Sequence, residues 1–193
     1  EMATIIEMRT GQRTGRTEVI AKLSVALAEQ MNVDTEYLAE AVYLRDIGML
    51  ALPESSAPGQ STYRLDSLER EHAITGFEIL SRARLPSTVL EVARHHHESY
   101  DGSGTPDGLK GEDIPIVARV VRLVESYVYM TTASNGEQPM PSPVALGVLS
   151  REAGRAYDPN VTNTSLRIIR AQGVTPEQET LSVIDHELRT PLT

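Results

Sequence analysis

An all-α bundle of about seven helices is the fold class this sequence predicts, and three observations predict it. Apolar residues recur at steps of three and four along most of the 193 residues. No segment alternates apolar and polar residues as a half-buried strand does. Hydrophobic residues make up 40 % of the chain but aromatics only 4 %, with one Phe and no Trp, so a core forms from aliphatic side chains.

Ile20, Leu23, Leu27 and Met31 form the first stripe, behind an N-cap expected at Thr17. Leu38, Ala41 and Val42 form the second, capped by Asp34 or Thr35 and ending at Asp46. Leu65, Leu68, His72 and Ile79 mark a third helix. Val89, Ala93, His96 and His97 mark a fourth, opened by Pro86. Ala118, Val121, Glu125 and Val128 mark a long fifth after Pro115. Residues 143–153 and 160–171 predict two more, the last opened by Asp158-Pro159. Residues 53–62 and 133–143 read as loops from their Pro, Ser and Gly content. A seam near 173–176 separates a domain at 1–172 from a segment at 173–193.

Composition narrows the function classes. The net charge of −9 argues against a nucleic-acid partner, because phosphate backbones attract basic surfaces. The absence of Cys excludes disulfides and thiolate metal sites. No apolar run approaches the ~18 residues of a membrane span. No signal peptide is visible, so the expected location is cytoplasmic. The chain opens in helix-like sequence and closes inside another motif, and it reads as a segment of a longer protein.

Polar residues interrupt the apolar stripes at informative places. His72, His96, His97 and Glu125 fall on core faces of their helices, and Asp46 stands at the end of another. Such groups are costly in a core unless they are paired or bound to a metal. Each alone reads as a satisfied core residue. Three His and two carboxylates on four inward faces raise a shared polar centre as the competing reading, and spacing leaves both open.

The segment Arg94–Pro106, RHHHESYDGSGTP, resembles the core motif HHExxDGSGYP of the HD-GYP family, metal-dependent phosphodiesterases of cyclic dinucleotides. AVYLRDIGMLALP at 41–53 resembles its HD box, EHAITGFEIL at 71–80 its HPxxGxxIL, and ARVVRLVESYVYMTT at 118–132 its ARIxxVADxYDALT. AGRAYDPNV at 153–161 resembles its AGxxFDPxV, and residues 6–23 resemble its opening helix. The resemblance covers about residues 5–170 and implies a bacterial protein with an HD-domain-like bundle. It implies metal ligands at Glu7, Asp46, His72, His96, His97 and Glu125, with Asp46 catalytic if the site is active. It places Asp101, Gly102 and Gly104 in a ligand-binding turn, although DGSG is also a common turn sequence.

The departures are grouped. Two ligand positions of the family, a His of the opening helix and the His of the HD pair, are Arg16 and Arg45. Arginine stays protonated and cannot ligate. Both Arg residues lie on core-facing stripes, so their guanidinium groups are expected to replace a cation, pair with Asp46 and Glu125, and contact any anionic ligand; the competing reading has each Arg snorkel to the bundle end and pair with any nearby acid. The family's phosphate-contacting Lys is Met49, its GYP Tyr is Thr105, an Asp of the 118–132 segment is Val128, and its basic RPYR segment has no Lys or Arg at 134–141. The implied cofactor is one Fe, Mn or other divalent ion, or none. The implied ligand is cyclic di-GMP or another nucleotide.

Residues 181–193, LSVIDHELRTPLT, resemble the phospho-acceptor box of histidine kinases, which implies His186 as phospho-acceptor, assisted by Glu187. That resemblance implies a kinase core in the parent chain and a homodimer. Two readings result: a catalytically impaired sensory module regulating an attached kinase, or an active phosphodiesterase with a reduced metal site. A scaffold that binds nothing ranks third.

Overall fold

The computed structural model describes Ile5, Glu7 and residues 15–52, 62–132 and 138–172. Seven α-helices make up the described residues: α1 (Arg16–Gln30), α2 (Leu38–Leu44), α3 (Thr62–Arg82), α4 (Ser87–His95), α5 (Ile116–Thr131), α6 (Ser142–Arg151) and α7 (Pro159–Gln172). Short 3₁₀ turns stand at Ile47–Ala51 and Gly111–Asp113. A lone bridge pairs Ala153 with Tyr157, and there is no strand among the described residues. The expected all-α bundle is the observed one.

The core is aliphatic. Val19, Ile20, Ala28, Leu38, Val42, Val89, Val120, Leu123, Val128 and Leu149 are fully buried in one cluster, with Tyr127 as its large aromatic member. α5 is central: α1, α4, α6 and α7 all pack on it. It buries residues on every side, consistent with Pro115 opening an uninterrupted aliphatic helix. α2 bridges α1 and α4, and α3 packs on α4 and on the 3₁₀ turn at 47–51. No helix of the described residues is long and apolar enough to cross a membrane.

Helix ends depart from the expected caps. Thr17 lies inside α1, whose N-cap is Gly15 at φ 86. The cap is supplied from a distance: the Glu7 carboxylate accepts the Gly15 N–H at 3.1 Å and the Thr17 N–H at 2.8 Å. This satisfies amides that the helix leaves orphaned and sets negative charge at the positive end of its dipole. Asp34 accepts the Glu36 N–H at 2.9 Å in a turn before α2, whose N-cap is Tyr37. α2 ends at Leu44, so Asp46 stands in the following turn. Asp158 does cap α7, accepting the Asn160 N–H at 2.6 Å. Ile79 is 37 % exposed, because α3 presents only part of its third stripe to the core. The expected loop at 133–143 gives way to α6 from Ser142. Residues 53–61, 133–137 and 173–193, with the seam and His186, lie outside the described residues, as does the side chain of Leu65.

Candidate metal centre

Three segments deliver four donors to one point. Asp46 comes from the turn after α2, His72 from the middle of α3, and His96 and His97 from the end of α4. One ligand atom from each lies within 4.8 Å of the others. His72 Nε2 is 3.3 Å from His96 Nε2 and 3.1 Å from His97 Nε2. Asp46 Oδ1 is 3.4 Å from His72 Nε2 and 3.5 Å from His96 Nε2. All but His97 are buried.

Close backbone contact makes this convergence possible. A Cβ on Gly48 would stand 2.0 Å from the His72 carbonyl oxygen and 2.7 Å from the Gly76 nitrogen. Glycine therefore lets the turn carrying Asp46 lie directly on α3 beside His72. The end of α4 is held by the following loop. The Thr105 N–H donates to the His97 carbonyl at 3.3 Å, and Glu98 accepts the N–H groups of Asp107 (2.8 Å) and Gly108 (3.1 Å).

Beside the four donors the site holds a guanidinium. Arg45 is 1 % exposed, and its Nε donates to Glu125 Oε1 at 3.0 Å. Its terminal nitrogens reach Asp46 Oδ2 at 3.1 Å and the Val42 carbonyl at 2.8 Å. Burial pulls the Arg45 pKa down, but Asp46 and Glu125 outweigh it and hold the group charged. Burial pushes the Asp46 carboxyl up, and Arg45 with His72 and His96 carries it well below the usual carboxylate range. Burial lowers His72, but the Asp46 carboxylate, together with the Leu68 carbonyl and Glu125, outweighs it and raises the ring's pKa. Burial pushes His97 well down, and His96, His72 and Arg122 add to that, so its ring is neutral.

The remaining expected site residues divide. Glu125 does not join the four donors; its carboxylate receives Arg45. Glu7 does not join them either, because both its oxygens cap α1. Arg16 is 1 % exposed, as its helix face requires, and its guanidinium lies 4.4 Å from the centre of the Tyr129 ring. Asp101 accepts from the Ser103 amide (2.9 Å) and hydroxyl (2.6 Å), and Gly102 adopts φ 86. A Cβ on Gly104 would come within 2.1 Å of the Ser99 nitrogen. These three residues build the loop that carries Glu98.

Sequence reasoning missed Glu69, Arg122 and Tyr129. Helical spacing held the signal: Glu69 is three residues before His72, Arg122 three before Glu125, and Tyr129 four after it. Burial raises the Glu69 carboxyl and outweighs the nearby Arg122 charge. Burial also raises the Tyr129 phenol, helped by Glu125 and Asp46.

The donor set fits a divalent ion. Three imidazoles and a carboxylate suit Zn, Fe or Mn, and the His72 and His96 rings are already turned with Nε2 inward. Arg45 leaves room for such an ion on one side of Asp46 only, since it occupies the other carboxylate oxygen.

Comparison with known proteins identifies the domain family and the fold. The sequence profile of the HD domain matches residues 2–161. The chain is 32 % identical over 173 residues to the cyclic di-GMP phosphodiesterase response regulator RpfG of Xanthomonas campestris, covering 86 % of this chain and 46 % of that protein. It is 32 % identical over 169 residues to a cyclic di-GMP phosphodiesterase of Thermotoga maritima, covering 84 % and 46 %. The chain thus spans about half the length of these curated relatives. Its fold matches a crystal structure of a cyclic GMP-AMP specific phosphodiesterase of Vibrio cholerae with a TM-score of 0.73 at 16 % identity, over 88 % of this chain and 47 % of that one.

Proposed function

Because this chain belongs to the HD-domain family, we propose that it is a signalling module built on a cyclic-dinucleotide phosphodiesterase, impaired in hydrolysis and regulating an attached histidine kinase. The observation that carries the reading is Arg45, a buried cation fixed between Asp46 and Glu125. A neighbouring metal position is thereby filled by a group that binds no water and lowers no pKa. The four-donor cluster keeps one metal position, held by Asp46, His72, His96 and His97. A divalent ion there supplies Lewis acidity and makes a bound water more acidic.

The protein's own residues then bind rather than cleave. The His72 and His96 rings are locked by backbone carbonyls and Asp46 is kept ionised by Arg45, so the pocket is preorganised. The Arg122 Nε is buried without an acceptor among the described residues and offers a donor to an anionic ligand. The proposed ligand is a cyclic dinucleotide such as cyclic di-GMP, by analogy with the substrates named for the relatives. Output passes to the kinase through residues 173–193, with His186 as phospho-acceptor and the parent chain a homodimer. The intact four-donor set favours a second reading, an active phosphodiesterase with a reduced metal site.

Cyclic di-GMP turnover with Mn(II) or anaerobic Fe(II), followed by chromatography of the linear product, tests the choice. The proposal expects calorimetric binding of cyclic di-GMP without metal-dependent product. Product formation abolished by His96→Ala would establish the second reading instead.

A further inference from the structure

The three rings of the centre are not anchored alike. His72 donates from Nδ1 to the Leu68 carbonyl at 2.7 Å, and His96 from Nδ1 to the Val92 carbonyl at 2.9 Å. Each acceptor lies one helical turn earlier, so the helix itself supplies it. A carbonyl only accepts, which puts the ring proton on Nδ1 and leaves the Nε2 lone pair facing the centre. His97 lies beyond the last residue of α4. Its Nε2 also faces the centre, 3.1 Å from His72 Nε2, yet its Nδ1 is buried without a hydrogen-bond partner among the described residues.

A carboxylate faces that atom: Glu69 Oε2 lies 3.9 Å from His97 Nδ1. Glu69 stands on α3 one turn before His72, and its side chain is 39 % exposed, so it has room to move. The gap is too long for a hydrogen bond and short enough for a small rotamer adjustment to close. Ligating histidines almost always donate their second N–H to a carboxylate, carbonyl or water. A His97 tautomer with its proton on Nε2 would have no lone pair to offer the centre.

We propose that Glu69 is the positioning residue of His97, accepting its Nδ1–H when a divalent ion occupies the centre and thereby fixing the ring's tautomer and orientation. The inference rests on the reading of Asp46, His72, His96 and His97 as one metal site.

The test is Co(II) titration of the wild type, Glu69→Leu and Glu69→Gln in competition with a chromophoric chelator, with proton NMR of the loaded proteins. Glu69→Leu is expected to weaken Co(II) binding roughly 10- to 100-fold. Glu69→Gln keeps an acceptor oxygen and loses less. Three shifted ring N–H signals are expected in the loaded wild type. One of them, that of His97, exchanges faster with solvent in Glu69→Leu while the other two stay unchanged. Packing loss alone would not single out one ring. Wild-type affinity and three unchanged signals in both variants would overturn the proposal and leave the metal site standing. A wild type that binds no Co(II) would overturn both. Should Glu69→Leu fail to fold, Glu69→Gln decides by the same two readouts.

Discussion

Arg45 is the buried cation of the centre. It is buried among Val42, Asp46 and Glu125, and its removal leaves two buried carboxylates with no cation between them. Breaking a buried charge group by deleting one partner costs about 3–5 kcal/mol. Arg45→Met is expected to lose stability of that order in metal-free urea unfolding, and to recover part of it when a divalent ion is added. Asp46 gives a pH signature in the metal-free protein. Its folded pKa is depressed, with Arg45 the leading opponent of burial. Its contribution to stability is therefore complete above the unfolded value of about 3.9 and is lost as pH falls through the lower folded value. The urea midpoint of the wild type should decline below about pH 4 more steeply than that of Asp46→Asn. The identities of Asp46, His72, His96 and His97 were legible as polar residues on or beside apolar stripes. That Glu125 would receive a guanidinium, and that Glu7 would cap α1, was not, because each depends on a partner 80 or 10 residues away.

One close approach and one helix cap, the first at the site and the second away from it, make separable predictions. Gly48 lets the turn at 47–51 rest on α3. Gly48→Ala forces a Cβ against backbone at 2.0 Å, where no flexible side chain can give way. Overpacking of this kind costs about 1–3 kcal/mol, and here it also displaces Asp46 from His72, so metal affinity and thermal stability should fall together. Asp158, by contrast, caps α7 and pairs with Arg119, and it is not among the four donors. Asp158→Ala should lower stability by about 1 kcal/mol or more in chemical unfolding while leaving Co(II) affinity unchanged. The helices themselves were readable from periodicity alone, since i, i+3 and i+4 positions fall on one face whatever the tertiary partner. Their first residues were not. Thr17 has the chemistry of an N-cap, but α1 already starts at Arg16, and the Thr17 N–H is itself one of the orphan amides that Glu7 accepts.

At the scale of the whole molecule, the centre ties the turn after α2 to α3 and to the end of α4, so metal and fold are linked. An ion that binds only the folded state adds about 2.7 kcal/mol at 100 times its dissociation constant. Chelation should lower the melting temperature correspondingly without unfolding the protein, because Arg45 already balances Asp46 and Glu125. Circular dichroism of the chelated protein would check this, and a chain that loses its helices on chelation would contradict it. The sequence alone determined the all-α class, the order of the helices and the aliphatic core, and it set the four clustered residues among six expected ligands. These follow from periodicity and side-chain chemistry, which are local properties. Tertiary structure decided which carboxylates remain with those donors and which are consumed by Arg45 and by the end of α1. It also decided that Glu69 faces His97 and that Arg16 lies on Tyr129. Those pairings are set by how helices distant in sequence pack together, and periodicity fixes only the face on which a residue lies, not the partner it meets there.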